Sequence, residues 1–205
     1  MTQPMKILRV DSSAKTKNSE SRRLTDRIIN GLKTNGKSLD VTVRDLNYSL
    51  PQVNTAWIEA NNTPSDDQTD EHKKTLALSD TLVAEIEAAD TLIIGVALYN
   101  FSITASLKLW IDLVCRARKT FAYVDGSPKG LMTGKKAIIC FASGGTPFES
   151  DIDFASGYLR HILGFIGITD VTFISADKHF MDDQSLFNAN AAVDTLTNQL
   201  LTQTS

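Results

Sequence analysis

The chain has 205 residues, 42% of them apolar, with 21 basic and 24 acidic side chains and a net charge of −3. That length suits one domain, residues 1–205, with a substantial core, and the near balance of charge argues against the strongly basic face that nucleic acid asks for. The longest uninterrupted apolar stretches, 92–98 and 162–168, fall far short of the roughly 20 residues that span a bilayer, so no membrane segment is expected.

The amino-terminal "MTQPMKILRV" has no long apolar core behind a basic head, which argues against a secretory signal. Its "MKILRV" reads as a first strand, and the "DSSAKTKNSESRR" that follows is a hydroxyl-rich loop without glycine. A dinucleotide fingerprint or a Walker loop needs glycines, so both are excluded. Hydroxyls at a helix amino-terminus can instead hold a single phosphate group, or they can serve as an ordinary cap at Asn18 or Ser19. Arg22 and Arg23 fall in the first turn of that helix, where cations are disfavoured unless an anion is close.

A helix over about 19–35 leads to a second strand, "LDVTVRDL", and then to a long polar segment, 45–64, that holds Pro51 and Trp57. That segment is either an excursion over another subunit or a covering loop. An amphipathic stretch over about 66–89 precedes "DTLIIGVAL", whose continuous apolar run marks a central strand. Asp66 and Asp67, like Asp182 and Asp183 further on, read as caps and dipole partners.

The third strand ends in Leu98-Tyr99-Asn100-Phe101, with Ser102 or Thr104 capping a helix over about 103–118 that aligns Leu107, Ile111 and Val114 on one face. Two aromatics around an amide suit a flat heteroaromatic ring with polar edges, although a core aromatic pair at a turn has the same appearance. A fourth strand, "KKAIICFA", ends in Ala142-Ser143-Gly144-Gly145, a turn that lets backbone come close to a ring edge. A helix over about 151–163, the strand "DVTFISAD" and a closing helix over about 183–202 with a frayed polar end complete the chain.

Five strands alternating with helices predict an α/β three-layer sandwich, a parallel sheet of order 2-1-3-4-5 with helices on both faces and a ligand site at the strand carboxyl ends. The loops after strands 1, 3 and 4 then form a phosphate pocket beside a flat-ring pocket, a combination that points to FMN. His72, His161 and His179 have no metal-ligand spacing, so no metal is expected, and Cys115 and Cys140 read as reduced core thiols of a cytoplasmic protein.

"LYNF", "LKLWIDLVCRA", "TFAY", "GLMTGKKAI", "SGG" and "YLRHILGFIGITDV", together with the serines of the first loop, resemble the FMN-dependent NADH azoreductases, which are also NADH:quinone oxidoreductases of flavodoxin-like fold. The resemblance runs from the first strand to the fifth. It implies one FMN per subunit, its phosphate held by Ser13, Ser19, Glu20 and Ser21, and its ring embraced by Leu98, Tyr99, Asn100 and Phe101 with Ala142, Ser143, Gly144 and Gly145. Tyr123 and Phe165 would face the substrate, in a homodimer whose active sites lie at the subunit interface. No protein side chain would be catalytic, because the flavin carries electrons from NADH, or NADPH, to quinones and azo compounds by ping-pong exchange. Ala97, where a proline commonly stands, and Ser143, where some members carry arginine, depart from the pattern. A flavodoxin-like electron carrier or regulatory flavin-binding module is the alternative from another class.

Overall fold

The computed structural model describes residues 3–48 and 50–202. Five strands, β1 (Met5–Asp11), β2 (Leu39–Asp45), β3 (Thr91–Ala97), β6 (Lys136–Ala142) and β7 (Asp170–Ala176), form one all-parallel sheet in the order β2-β1-β3-β6-β7. Counted among sheet strands alone, this is the expected 2-1-3-4-5. β3 lies at its centre, with Ile7 opposite Thr91 on one side and Leu92 opposite Ala137 on the other. All seven of its residues are buried, which accounts for its unbroken apolar run.

Alternate residues of each strand face opposite layers. Ile7, Ile93 and Ile138 meet Leu24, Ile28 and Leu32 of α1 (Glu20–Thr34) and Ala189 and Val193 of α6 (Asp183–Thr202). Leu8, Ile94 and Ile139 meet the other layer, built from α3 (Asp70–Ala88), α4 (Ala105–Val114) and α5 (Ser156–Ile166). Helices therefore cover both faces, and the strand carboxyl ends are left as the accessible edge. The expected frayed end of the closing helix falls partly on 203–205, outside the described residues.

Several helix limits differ from expectation because side chains from elsewhere set them. The helix expected to reach 118 stops at Val114, where Thr120 Oγ1 accepts the Arg116 N–H at 2.8 Å and donates to the Val114 carbonyl at 2.8 Å. The one expected from 151 starts at Ser156, because the Asp153 carboxylate accepts the N–H groups of Glu149, Ala155 and Ser156 and holds 149–155 as a turn. Burial raises the Asp153 pKa, and these hydrogen bonds outweigh it and bring it below the ordinary value. Thr69, not Asp66 or Asp67, caps α3 by accepting the His72 N–H. Asp182 does act as expected and accepts the Gln184 N–H ahead of α6.

One helix and one hairpin lie outside the expected pattern. The segment before Pro64 contains α2 (Thr55–Asn62), whose Trp57 and Ala60 are buried in this chain's own core. The Arg116 guanidinium lies 5.6 Å from the Trp57 ring centroid. After α4, the antiparallel pair β4 (Phe121–Val124) and β5 (Ser127–Gly130) turns through Asp125 and Gly126, both at positive φ. Cys140 is fully buried and Cys115 half-buried, and burial pushes the Cys115 thiol up to about 12.

Candidate functional site

The loop after β1 is drawn onto the sheet by Ser12, whose Oγ donates to the Gly95 carbonyl at 2.7 Å. Beneath it lies a buried charge network. Asp11 is 2% exposed and accepts from Arg9 Nε at 2.7 Å and from Thr25 Oγ1 at 3.3 Å, with Arg22 Nη1 at 3.4 Å. Arg22 in turn donates to both Asp45 oxygens, at 2.9 and 2.7 Å, and to the Ser13 carbonyl at 3.0 Å. The Arg22 hydrogen bond holds the Asp45 carboxyl below its ordinary range. Arg23 pairs with Glu20 at 2.5 Å and Asn190 at 2.7 Å. The two first-turn arginines are thus compensated by carboxylates of this chain, and neither needs an external anion.

Support for an anion comes instead from the helix start itself. Ser19 stands at the N-cap of α1 with no side-chain cap bond, its hydroxyl lying 3.3 Å from that of Ser21. The first helical bond runs from the Arg23 N–H to the Ser19 carbonyl, so the amides of Glu20, Ser21 and Arg22 precede the intrahelical ladder. An uncapped, positively polarised helix end with hydroxyls around it suits a phosphate.

Beyond β3, the Leu98 N–H bonds the Ala142 carbonyl at 2.9 Å, and the chain then reverses. Tyr99 and Ser102 exchange backbone bonds of 3.1 and 3.3 Å around Asn100 and Phe101, at φ 50° and 69°. This is the geometry of a two-residue primed turn. Asparagine tolerates it, whereas phenylalanine is strained there. Tyr99 Oη reaches back to within 3.4 Å of Ser13 Oγ, joining the first loop to the third. Thr104 caps α4 through the Leu107 N–H, and Leu107, Ile111 and Val114 are all buried.

The turn after β6 is pinned by Ser143. Its buried hydroxyl donates to the Thr146 carbonyl and accepts the Lys178 N–H at 3.3 Å, while its carbonyl accepts the His179 N–H at 3.1 Å. The segment after β7 is therefore docked on the Ser143-Gly144 turn, with the Phe180 N–H on the Gly144 carbonyl at 3.2 Å. His179 Nδ1 lies 3.2 Å from the Ala176 carbonyl, which can only accept, so Nδ1 carries the proton.

These loops enclose a cavity of about 160 Å³ lined by Ser13, Ser19, Glu20 and Ser21, by Leu98 and Tyr99, and by Ala142 and Gly144. Lys15, Asn18, Ala97, His179 and Phe180 line it as well and were not anticipated as site residues. Of the expected ring-binding residues, Asn100 and Phe101 stand outside it on the adjoining turn, Ser143 is turned inward, and Gly145 lies beside it. Tyr123 and Phe165 are elsewhere: Phe121 gathers both, with ring centroids 5.8 Å from Tyr123 and 4.5 Å from Phe165. His179 and Phe180 could have been found from the rule that ligands gather at strand carboxyl ends, which applies to the loop after β7 as much as to the other three.

The uncapped α1 end, the hydroxyls and the apolar strand exit fit FMN in kind. In volume the cavity is smaller than the roughly 300 Å³ at which small-molecule pockets begin. A larger opening of about 510 Å³, lined in part by Pro4, Lys6, Asp90 and Lys136, lies at the amino ends of the strands, the opposite edge from the converging loops.

Residues 5–200 match the family described as having a flavodoxin-like fold. An FMN-dependent NADH:quinone oxidoreductase 1 of Jannaschia sp. (strain CCS1) is 54% identical over 176 residues, 86% of this chain and 90% of that protein. One from Colwellia psychrerythraea is 49% identical over 93% of this chain and 99% of its own length. A crystal structure of azoreductase from Bacillus anthracis superposes with a TM-score of 0.86 at 25% identity, over 95% of this chain and 99% of that one.

Proposed function

The chain belongs to the FMN-dependent NADH:quinone oxidoreductases of flavodoxin-like fold, and on that premise we propose that its FMN sits in the cavity at the sheet's carboxyl edge. The observation that carries this placement is the uncapped, hydroxyl-lined start of α1 meeting the Tyr99 turn and the Gly144 turn in one cavity. FMN bound there would supply the chemistry, carrying two electrons at a time from NADH to a quinone or, as we further propose, in two successive rounds, four electrons in all with protons from NADH and solvent, to an aromatic azo compound that is cleaved to two amines. Ser13, Ser19, Ser21 and the first amides of α1 hold the phosphate, and Glu20 lies among them. Leu98, Tyr99 and Ala142 set an apolar wall, while Asn100 and the Gly144-Gly145 turn offer polar groups to the ring edge. One open ring-side face serves donor and acceptor in turn, which gives ping-pong kinetics. Relatives named as oxidoreductases favour turnover over the carrier alternative.

We place Tyr123 and Phe165 at the acceptor face of the partner in a homodimer. Neither lines this chain's cavity. Tyr123 is 67% exposed, and the ring side of the cavity borders the exposed Phe101 and Phe154, 51% and 63%, joined by the Phe154 N–H to Phe101 carbonyl bond of 3.1 Å. A second subunit would cover these rings and complete the small cavity.

Titrating the apoprotein with FMN and with riboflavin tests the placement. Ser19→Ala is expected to weaken FMN about tenfold, the loss of one hydrogen bond to a charged group, and to leave riboflavin unaffected. Equal FMN affinity in the variant and the parent sinks the phosphate assignment. At the turn, Asn100→Gly keeps the backbone and removes only the amide, whereas Asn100→Ala also strains the turn by about 1 kcal/mol. If the amide binds the ring, both variants lose roughly 1–3 kcal/mol of FMN affinity, and alanine alone also loses stability in urea. A glycine variant that binds FMN like the parent reduces Asn100 to a turn residue.

A further inference from the structure

We propose that Lys15 and Phe180 form a latch across the mouth of the cavity and set how long FMN stays bound, an inference that rests on the cofactor placement above. The two residues come from different loops, after β1 and after β7, and both line the same cavity. The Lys15 ammonium lies 5.9 Å from the centroid of the Phe180 ring, within reach of a cation–π attraction. Through this pair the first and last loops meet over the cavity, and they must part before a ligand filling it can leave.

Phe180 is built for such a movement. Its backbone is fixed, through the Lys178, His179 and Phe180 N–H bonds to Ser143 and Gly144. Its side chain is 76% exposed and leans on few supports. One is Lys15, one is the His179 ring at 4.5 Å and 64°, and one is the bare face of Gly144. A Cβ on Gly144 would stand 2.5 Å from one ring carbon of Phe180 and 2.8 Å from another, so the ring occupies space that only glycine leaves free. The ring thus lines the cavity on one side while most of its surface stays open to solvent.

The test is the rate of FMN release from the holoenzyme, followed by flavin fluorescence after mixing with an excess of a flavin-scavenging apoprotein. Phe180→Ala is expected to speed release roughly tenfold and Lys15→Met roughly threefold. The double variant should be no faster than Phe180→Ala alone, because both changes undo one contact. Gly144→Ala leaves both latch residues in place and pushes the ring away, so it should speed release as Phe180→Ala does. Melting temperatures of the apo variants at 15 and 180 should match the parent, as befits exposed side chains. Parental release rates in Phe180→Ala and Gly144→Ala, beside faster release in Ser19→Ala, overturn the latch and leave the site standing. Multiplying effects in the double variant also overturn it. Unchanged release in Ser19→Ala as well shows that the cofactor placement itself has failed.

Discussion

Alanine at Gly130 is expected to destabilise the fold by about 3 kcal/mol or more, read as a fall in the urea midpoint at unchanged slope. A Cβ there would stand 2.1 Å from the Gly167 nitrogen and 2.4 Å from the Gly167 Cα and the Ile166 carbonyl carbon, all backbone atoms that cannot rotate away. Gly167 sits at φ 104° as the left-handed residue that ends α5, and the Met132 N–H bonds the Ile166 carbonyl at 2.8 Å just beside it. The end of the β4–β5 hairpin is therefore seated directly on the end of α5. Moving either would disturb Phe121 and Phe165, whose rings meet 4.5 Å apart on the same two elements. A Gly130→Ala variant as stable as the parent would show that this approach of two backbones is not required.

Asp11→Ala is the second large effect, and it bears on the site. Removing this carboxylate leaves Arg9 and Arg22 facing each other in a largely buried place, and uncompensated buried charge is costly. Arg9 keeps Asp26 and Arg22 keeps Asp45, so the expected loss is about 2–4 kcal/mol, toward the lower side of what breaking a buried pair costs. Because Arg22 also holds the Ser13 carbonyl at 3.0 Å, the phosphate loop should loosen, and FMN affinity should fall together with stability. Asp11→Asn, which retains an acceptor for Thr25, should recover part of both. Full FMN affinity in Asp11→Ala would separate the charge network from the cofactor loop.

The sheet was legible because a strand buried on both faces must be apolar almost throughout, as β3 and β6 are after their first residues Thr91 and Lys136, and because five strand-like runs separated by helix-length spacers admit few parallel topologies. The phosphate end of the cavity was legible in the serines of one contiguous loop. The arginines beside them misled, since the carboxylates that compensate Arg22 come from β1 and β2 and are brought to it only by folding. Thr120 and Asp153 shorten two helices through bonds that periodicity does not register. The β4–β5 hairpin, with strands of four residues and "SPKG" as one of them, carries almost no apolar alternation, and only its Asp125-Gly126 turn marked it. Phe180 stands where the strand-end rule points, but nothing in "DKHFMDD" itself separates a cover over a cavity from an ordinary approach to a helix. The two motifs that carried the family resemblance most specifically, "GLMTGKKAI" and "LGFIGITDV", meet at Gly130 and Gly167, which gives their glycines a steric reason.

If one cavity lends its flavin first to NADH and then to the acceptor, either half of the exchange can run alone. This is tested most directly by following the visible flavin absorbance of the purified holoenzyme without oxygen. NADH alone should abolish that absorbance, and a quinone added once the NADH is consumed should restore it, so that each half of the exchange proceeds without the other reactant. Absorbance that NADH leaves unchanged until a quinone is also present would contradict the account.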